Sequence, residues 1–251
     1  MEEKKEKNIL NKVIIVTGGS RGIGAEIVKE LARENYNIVL NYNKSEEQAK
    51  TIQQHLLQEG KKIEIFRADV SKREDVKQLI QFTLEKYHKI DVLINNAGIA
   101  QEKLFTDITD EDWNSMLQNN LNSVFYCTQE ALPIMINNKS GCIINISSIW
   151  GIIGGSCEVA YSTAKAAVNG LTKSLAKEIG PSNIRVNSIA PGIIDTQMNK
   201  YLTSKELKEI EEEIPLERIG RPEDISKCIK WLIEDNYTTG QIISINGGWY
   251  I

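Results

Sequence analysis

The chain has 251 residues, of which 41% are hydrophobic and 25% charged, the composition of a globular protein. Thirty basic residues against 34 acidic ones give a net charge of −4, which disfavours a nucleic-acid partner because phosphate neutralisation needs a basic face. No apolar run approaches the roughly 18 residues of a membrane span, and the charged N-terminus lacks the apolar stretch of a secretory signal. We therefore expect a cytoplasmic protein that binds neither nucleic acid nor membrane.

The few cysteines and histidines exclude several kinds of site. The four cysteines include no CxxC pair, which favours free buried thiols over disulfides or a thiolate metal site. His55 and His88 both lie in polar segments typical of exposed helices. Two such histidines exclude a multi-histidine zinc site and disfavour a Ser-His-Asp triad. We predict no metal site, so catalysis must use other groups.

Short β-branched segments alternate with helical segments along the whole chain. The strand-like segments are residues 13–17, 38–41, 63–67, 92–95, 142–147, 185–190 and 241–245. Between them, apolar residues recur at helical spacing, as Ile23, Ile27 and Leu31 do. This alternation predicts one doubly wound Rossmann-type α/β domain over residues 1–251, with a seven-stranded parallel sheet and helices on both faces.

The first predicted strand leads directly into a glycine-rich turn, Thr17-Gly-Gly-Ser-Arg-Gly-Ile-Gly24, at which a helix begins. Glycines at positions 18, 22 and 24 allow a tight turn and a close backbone approach to a pyrophosphate. The N-terminus of the helix then supplies N–H donors and a positive dipole end for the anion. The turn therefore predicts a dinucleotide site.

The end of the second predicted strand bears on which dinucleotide binds. NAD-selective sites place an Asp or Glu there for the ribose hydroxyls, whereas an arginine nearby accommodates a 2′-phosphate. No acid stands at Tyr42, and Arg21 in the glycine turn is close enough in this fold to hold the phosphate. The sequence thus favours NADP(H), with a plain surface arginine as the alternative for Arg21.

Tyr161 and Lys165 are four residues apart at the start of a predicted helix, so they share one face. An ammonium group beside a phenol favours the phenolate, so we expect a lowered pKa for Tyr161, suited to proton transfer near neutrality. Ser148 ends the fifth predicted strand and would bring a hydroxyl to the same edge of the sheet. Ser148 lacks the G-x-S-x-G turn and the histidine partner of a hydrolase nucleophile.

One long segment interrupts the alternation after the sixth predicted strand. Residues 195–215 form a polar helical stretch beyond the carboxyl end of that strand, where open α/β sheets bind ligands. We interpret residues 193–219 as a mobile substrate lid, with a solvated surface helix as the alternative.

Together these motifs resemble the short-chain dehydrogenase/reductase family over nearly the whole chain. Besides the glycine turn, the matching motifs are Asp69-Val70, Asn95-Asn-Ala-Gly98 and Pro191-Gly192. The resemblance implies a catalytic set of Asn120, Ser148, Tyr161 and Lys165. In that family, the serine and tyrosine bind the substrate carbonyl, the tyrosine donates a proton, the lysine holds the cofactor ribose, and the asparagine anchors a water. The cofactor-binding residues that the resemblance implies are Gly18, Ser20, Arg21, Gly22, Ile23, Gly24, Asn43, Asp69, Val70, Asn96, Ala97, Gly98, Tyr161, Lys165, Pro191, Gly192, Ile194 and Thr196.

Within the family, residues 214–224 and the ending Ile245-Asn-Gly-Gly-Trp249 are most similar to bacterial 3-oxoacyl-[acyl-carrier-protein] reductases of fatty acid biosynthesis. This resemblance implies a homotetramer, a 3-oxoacyl thioester as the ketone substrate, and acyl carrier protein as a partner. Those reductases bind their acidic partner through two basic residues near the site mouth. The matching positions are Lys139, which keeps the charge, and Ser182, which loses it.

Glu158, three residues before Tyr161, stands where that branch commonly has Gln. A carboxylate at the mouth would attract a cationic substrate, and the alternative is a solvated loop carboxylate. The residues around Trp150 and Glu158 also resemble a Firmicute subgroup thought to reduce an aminopentanone group on elongation factor P. A third hypothesis is a non-catalytic dinucleotide-binding sensor, which the complete catalytic set disfavours.

Overall fold

The buried β-branched segments form the strands of a single sheet. The structure, a computed structural model, describes residues 12–199 and 202–251. Within these residues seven parallel strands lie in the order β3-β2-β1-β4-β5-β6-β7. Their bounds are β1 Val13–Val16, β2 Asn37–Tyr42, β3 Ile63–Arg67, β4 Val92–Asn95, β5 Gly141–Ile146, β6 Ile184–Pro191 and β7 Ile242–Ile245. Each strand lies within one residue of its predicted bounds, which confirms that these segments form the strands.

Helices connect the strands and cover both faces of the sheet. The α-helices are α1 Gly22–Arg33, α2 Glu46–Gln58, α3 Arg73–Tyr87, α4 Asp110–Leu117, α5 Ser123–Asn138, α6 Trp150–Ile153, α7 Val159–Ile179, α8 Ser204–Glu213 and α9 Pro222–Glu234. Short 3₁₀ turns occupy Phe105–Asp107, Gly180–Ser182 and Gln197–Asn199, and a π-helical turn, Gln118–Asn122, joins α4 to α5. The prediction of a doubly wound Rossmann-type fold is confirmed.

Two apolar cores lie on opposite faces of the sheet. On one face, Ile27 and Leu31 of α1 and Leu232 of α9 pack against strand residues such as Ile38. On the other face, helices α3, α5 and α7 pack against the alternate strand residues, among them Ile15. Because side chains of a strand alternate between faces, strands buried on both sides must be apolar throughout. This requirement explains why the strands read as continuous apolar runs.

The segment after β6 is less helical than the sequence indicates. The expected helix over residues 195–215 is replaced by a 3₁₀ turn and the shorter α8, and residues 200 and 201 lie outside the described residues. Helix α8 begins where Thr203 and Glu206 form a capping box: the Thr203 N–H donates to Glu206 Oε2 at 2.7 Å, and the Glu206 N–H donates to Thr203 Oγ1 at 3.3 Å. Such a box fixes the first turn of a helix.

Both histidines are exposed, as predicted. The four cysteines are free, but only Cys127 and Cys142 are fully buried, whereas Cys157 and Cys228 are partly exposed. Among the described residues, no helix combines the length and hydrophobicity needed to cross a membrane.

Candidate active site

The predicted motifs meet at one edge of the sheet, at the carboxyl ends of its central strands. The glycine turn follows β1, residues 96–98 follow β4, Ser148 follows β5, and Gly192 follows β6. Strands β1 and β4 are neighbours at the point where the chain reverses its direction across the sheet. Open α/β sheets bind their ligands at this position.

The glycine turn forms a cradle that side chains would fill. Gly18 and Gly22 have φ of +63° and +53°, which favours glycine. A Cβ placed on Gly24 would lie 2.3 Å from the main-chain oxygen of Gly18. A Cβ on Gly22 would lie 3.5 Å from Thr196, so this predicted cofactor residue faces the turn. The open cradle at the N-terminus of the 12-residue helix α1 fits a dinucleotide pyrophosphate.

Asn96 and Ala97 support the cradle from the end of β4. The Asn96 side chain donates to the main-chain oxygens of Thr17 and Gly18 at 2.9 and 3.1 Å. The Thr17 hydroxyl in turn accepts from the N–H groups of Asn96 and Ala97, each at 3.0 Å. These contacts show how the two motifs depend on each other, and they give Asn96 a role in shaping the turn.

Asn41 is a site residue that the sequence reasoning missed. Its side chain is buried at the end of β2, accepts from the Gly18 N–H at 3.3 Å, and donates to the main-chain oxygen of Ala68 at 3.0 Å. The residue therefore ties the glycine turn to the chain that follows β3. An asparagine directly after the apolar run of residues 38–40 was the available signal, because a buried amide needs hydrogen-bond partners.

The other predicted cofactor residues surround the cradle. Arg21 and Asn43 are exposed, and the Arg21 side chain makes no capping hydrogen bond to α1. Val70 is buried, while the Asp69 carboxylate accepts from the Ser71 hydroxyl at 2.6 Å. The remaining predicted residues lie in the turn or along the same edge, namely Ser20, Ile23, Gly98, Pro191, Gly192 and Ile194.

Lys165 of helix α7 is anchored at the carboxyl end of β5. Its ammonium group is buried and donates to the main-chain oxygen of Ile146 at 2.7 Å. The same nitrogen lies 5.6 Å from the centroid of the Tyr161 ring. Burial lowers the pKa of Lys165 to about 8. The i, i+4 spacing on α7 thus places both groups on one face, as predicted.

The expected lowering of the Tyr161 pKa is not what the structure gives. Burial raises the pKa of the phenol to about 12, a hydrogen bond with the Ser148 side chain opposes the rise, and the Glu158 carboxylate adds to it. Desolvation, which disfavours the charged phenolate, therefore decides the direction of the shift, and not the neighbouring Lys165 ammonium group. The phenol stays protonated throughout the neutral range.

Asn120 lies in the π-helical turn between α4 and α5 and is fully buried. Its side chain accepts from the Ile99 N–H at 3.1 Å and donates to the main-chain oxygen of Met116 at 3.1 Å. A Cβ on Gly98 would lie 2.5 Å from Asn120 Oδ1 and 3.6 Å from Lys165 Nζ, so Gly98 separates the two residues. Single π-turns inside helices often mark functional sites.

Glu158 lies at the start of α7, close to Tyr161. Its carboxylate accepts from the Trp150 indole N–H at 3.0 Å, and burial raises its pKa. Lys139 and Ser182, by contrast, precede β5 and β6 and so lie at the amino edge of the sheet. They are neighbours, because the Asn183 side chain donates to the main-chain oxygen of Lys139 at 3.0 Å. The expectation that these two positions flank the site mouth is therefore wrong within a single chain.

The fold, together with the residues at the carboxyl edge of the sheet, is that of a known class of enzyme. The sequence profile of the short chain dehydrogenase family matches residues 12–207, and the chain belongs to that family. It is accordingly an oxidoreductase of the kind that binds a nicotinamide dinucleotide.

Relatives with curated names extend over nearly the whole chain. An uncharacterized oxidoreductase of Bacillus subtilis, YmfI, is 41% identical over 244 residues, which span 96% of this chain and 100% of the relative. A 3-oxoacyl-[acyl-carrier-protein] reductase of Chlamydia trachomatis is 41% identical over 245 residues, spanning 96% of this chain and 98% of the relative. Its counterpart in Staphylococcus epidermidis is 38% identical over 244 residues, with 96% and 100% coverage. The predicted resemblance to these reductases is confirmed.

Proposed function

We propose that the protein reduces a ketone to a secondary alcohol with NADPH, and that the ketone is a 3-oxoacyl thioester carried on acyl carrier protein. The observation that carries the ketone reduction is a grouping at the carboxyl edge: the Tyr161 phenol shares a hydrogen bond with the Ser148 side chain, and its ring centroid lies 5.6 Å from Lys165 Nζ. The acyl thioester is supported by the relatives named as 3-oxoacyl reductases. NADPH oxidation with an acetoacetyl thioester tests the proposal, and no reduction of any ketone would overturn it.

The cofactor would be held along the edge already described. The cradle at Gly18, Gly22 and Gly24 would bind the pyrophosphate, Thr196 would close it from the opposite side, and Lys165 would bind the nicotinamide ribose. When bound, NADPH supplies the hydride. Asp69 and Val70 follow β3 and would flank the adenine.

The residues of this chain would move the proton. Ser148 and Tyr161 would donate hydrogen bonds to the substrate carbonyl, which stabilises negative charge developing on its oxygen. Because the pKa of Tyr161 is about 12, the phenol carries the proton that this oxygen needs at neutral pH. Both polar atoms of the Asn120 side chain have protein partners, which fix the residue that is proposed to anchor a water.

The segment 193–219 is proposed as the substrate lid. Its two ends are joined by backbone hydrogen bonds, from the Asp195 N–H to the Gly220 oxygen and from the Gly220 N–H to the Ile193 oxygen, each at 2.9 Å. Loops that close over a site are commonly hinged at such fixed ends. The tetramer and a cytoplasmic location remain parts of the proposal, supported by the family resemblance.

A second candidate substrate is an amino-ketone, such as the aminopentanone group on elongation factor P. It is favoured by Glu158, a partly buried carboxylate whose indole partner Trp150 lies against two further aromatic rings. A carboxylate and aromatic faces together attract an ammonium group. Lys139 and Ser182, the positions that match the basic pair of the reductases, lie at the opposite edge of the same chain, and Ser182 carries no charge. The non-catalytic sensor is disfavoured because all four residues of the proposed catalytic set are present in the sequence.

NADPH should bind about ten- to a hundredfold more tightly than NADH. The exposed Arg21 guanidinium is free of capping contacts, and a charge-assisted contact with the 2′-phosphate is worth roughly 1.5–3 kcal/mol. Arg21→Ala should remove most of this difference and leave NADH affinity nearly unchanged. Fluorescence titration of both cofactors measures the dissociation constants.

Arg33→Ala, at the other end of α1, is the matched control, because it removes an exposed arginine that pairs with Glu30. Equal affinities for the two cofactors in the unaltered protein would contradict the assignment of Arg21.

Glu158→Gln separates the two candidate substrates. The amide keeps an oxygen acceptor for Trp150 but removes the charge, so the KM for an amino-ketone should rise several-fold with kcat nearly unchanged. Partly exposed ion pairs contribute about 1 kcal/mol, and loss of uniform binding affects KM alone. For an acetoacetyl thioester the substitution should be neutral.

High salt should reproduce the effect on the amino-ketone, because a pair at the site mouth is screened. An unchanged amino-ketone KM, together with efficient thioester reduction, would leave the acyl thioester as the substrate.

A further inference from the structure

Three aromatic rings from two distant parts of the chain form a cluster beside the candidate site. Trp150 follows Ser148 by two residues, whereas Trp249 and Tyr250 stand at the end of the chain. The ring centroids are 5.7 Å apart for Trp150 and Trp249, 5.1 Å for Trp249 and Tyr250, and 6.3 Å for Trp150 and Tyr250. Tilted rings at these separations attract each other beyond the area they bury.

Trp249 connects this aromatic cluster to the proposed lid. Its indole N–H donates to Glu213 Oε2, at the last residue of α8, at 3.1 Å. The main chain adds a second link, because the Leu216 N–H donates to the Gly247 oxygen at 3.2 Å. Gly247 has φ of +67°, and a Cβ there would lie 2.7 Å from Ile214. The end of α8 and the C-terminal turn are therefore in close contact.

Trp150 connects the same cluster to the catalytic groups. Its indole N–H donates to Glu158 Oε1 at 3.0 Å, and its main-chain N–H donates to Ser148 Oγ at 3.2 Å. One residue thus orients a carboxylate at the site mouth and the hydroxyl that is proposed to bind the carbonyl. Nothing in the proposed proton transfer requires these contacts.

We propose that Trp249 is a positioning residue, which links helix α8 through Trp150 to Glu158 and Ser148. The two indole N–H groups donate to carboxylates on separate elements, so a displacement of α8 is transmitted to the mouth through two tilted rings in contact. This inference rests on the proposed function, because it assigns Trp249 the task of setting the mouth for the ketone. The proposed link between α8 and the mouth should also be present in the protein without substrate.

The test uses full-length variants that change one link at a time. Trp249→Phe keeps a ring in the cluster but removes the donor to Glu213, and Glu213→Gln keeps an acceptor for that donor. We expect Trp249→Phe to raise the ketone KM three- to tenfold, with kcat and the NADPH dissociation constant changed less than twofold. Glu213→Gln, as the conservative variant, should keep a KM close to that of the wild type. Trp231→Phe, at a 48% exposed tryptophan of α9, is the control.

A second measurement is independent of catalysis. Exchange of the Trp150 indole N–H with solvent, followed by NMR in the absence of substrate, should become several-fold faster in Trp249→Phe and in Glu213→Ala. It should stay unchanged in Trp231→Phe. A residue with a merely structural role would lower the melting temperature without this selective effect.

The outcomes separate the inference from the proposed function. If the unaltered protein reduces no ketone, the proposed function fails, while faster exchange at Trp150 still supports the link between α8 and the mouth. Unchanged exchange in both variants would overturn the link. Faster exchange with an unchanged KM, in a protein that does reduce ketones, would overturn the positioning role.

Discussion

Tyr161→Phe should lower ketone turnover by roughly a hundred- to ten-thousandfold, the usual contribution of a general acid, while NADPH binding persists. The substitution removes only the hydroxyl, so the packing of the ring is kept. Burial raises the pKa of Tyr161 to about 12, so the wild-type phenol carries its proton at neutral pH. Single-turnover oxidation of bound NADPH measures the chemical step directly.

Tyr237→Phe is the matched control, because that tyrosine is 93% exposed and precedes β7, which places it towards the amino edge of the sheet, opposite the candidate site. If Tyr161→Phe kept more than a tenth of wild-type turnover, another group would have to be the proton donor.

Lys165→Ala should weaken NADPH binding and turnover together. The ammonium group is buried, donates to Ile146, and is proposed to bind the cofactor ribose. Hydrogen bonds from a charged donor contribute about 1.5–3 kcal/mol, so the dissociation constant should rise about ten- to a hundredfold. Isothermal titration and steady-state kinetics on the same preparation measure both effects. Wild-type cofactor affinity in the variant would contradict the proposed contact.

The dependence of activity on pH is a second test of the role proposed for Lys165. Since burial lowers the pKa of Lys165 to about 8, the ammonium is present below that pH and is lost as the pH rises through it. The kcat/KM for NADPH reports groups of the free enzyme, so it should fall above about pH 8. The inflection should disappear in Lys165→Ala.

The fold and the position of the site followed from local patterns. Strand bounds came from runs of β-branched residues, and parallel strands bring all their carboxyl ends to one edge, so Ser148 and the glycine turn had to converge there. The i, i+4 spacing of Tyr161 and Lys165 fixed their shared face without knowledge of the fold.

What the sequence did not predict depends on long-range packing. Asn41 receives its role from Gly18 and Ala68, which are distant in the chain. The rise in the Tyr161 pKa depends on how deeply the ring is desolvated, and spacing carries no such information. Lys139 and Ser182 were placed by alignment to the family, which does not indicate which edge of the sheet of a single chain they occupy.

The central claim is that a ketone accepts hydride from NADPH and a proton from Tyr161. Incubation with NADPH deuterated at the reactive C4 position, an acetoacetyl thioester and an amino-ketone, followed by mass spectrometry of the products, tests it most directly. We predict a secondary alcohol with one deuterium at the carbinol carbon from at least one of the two ketones. We also predict almost no labelled alcohol from Tyr161→Phe under the same conditions. Unlabelled ketone recovered from both incubations, with NADPH bound to the protein, would contradict the account.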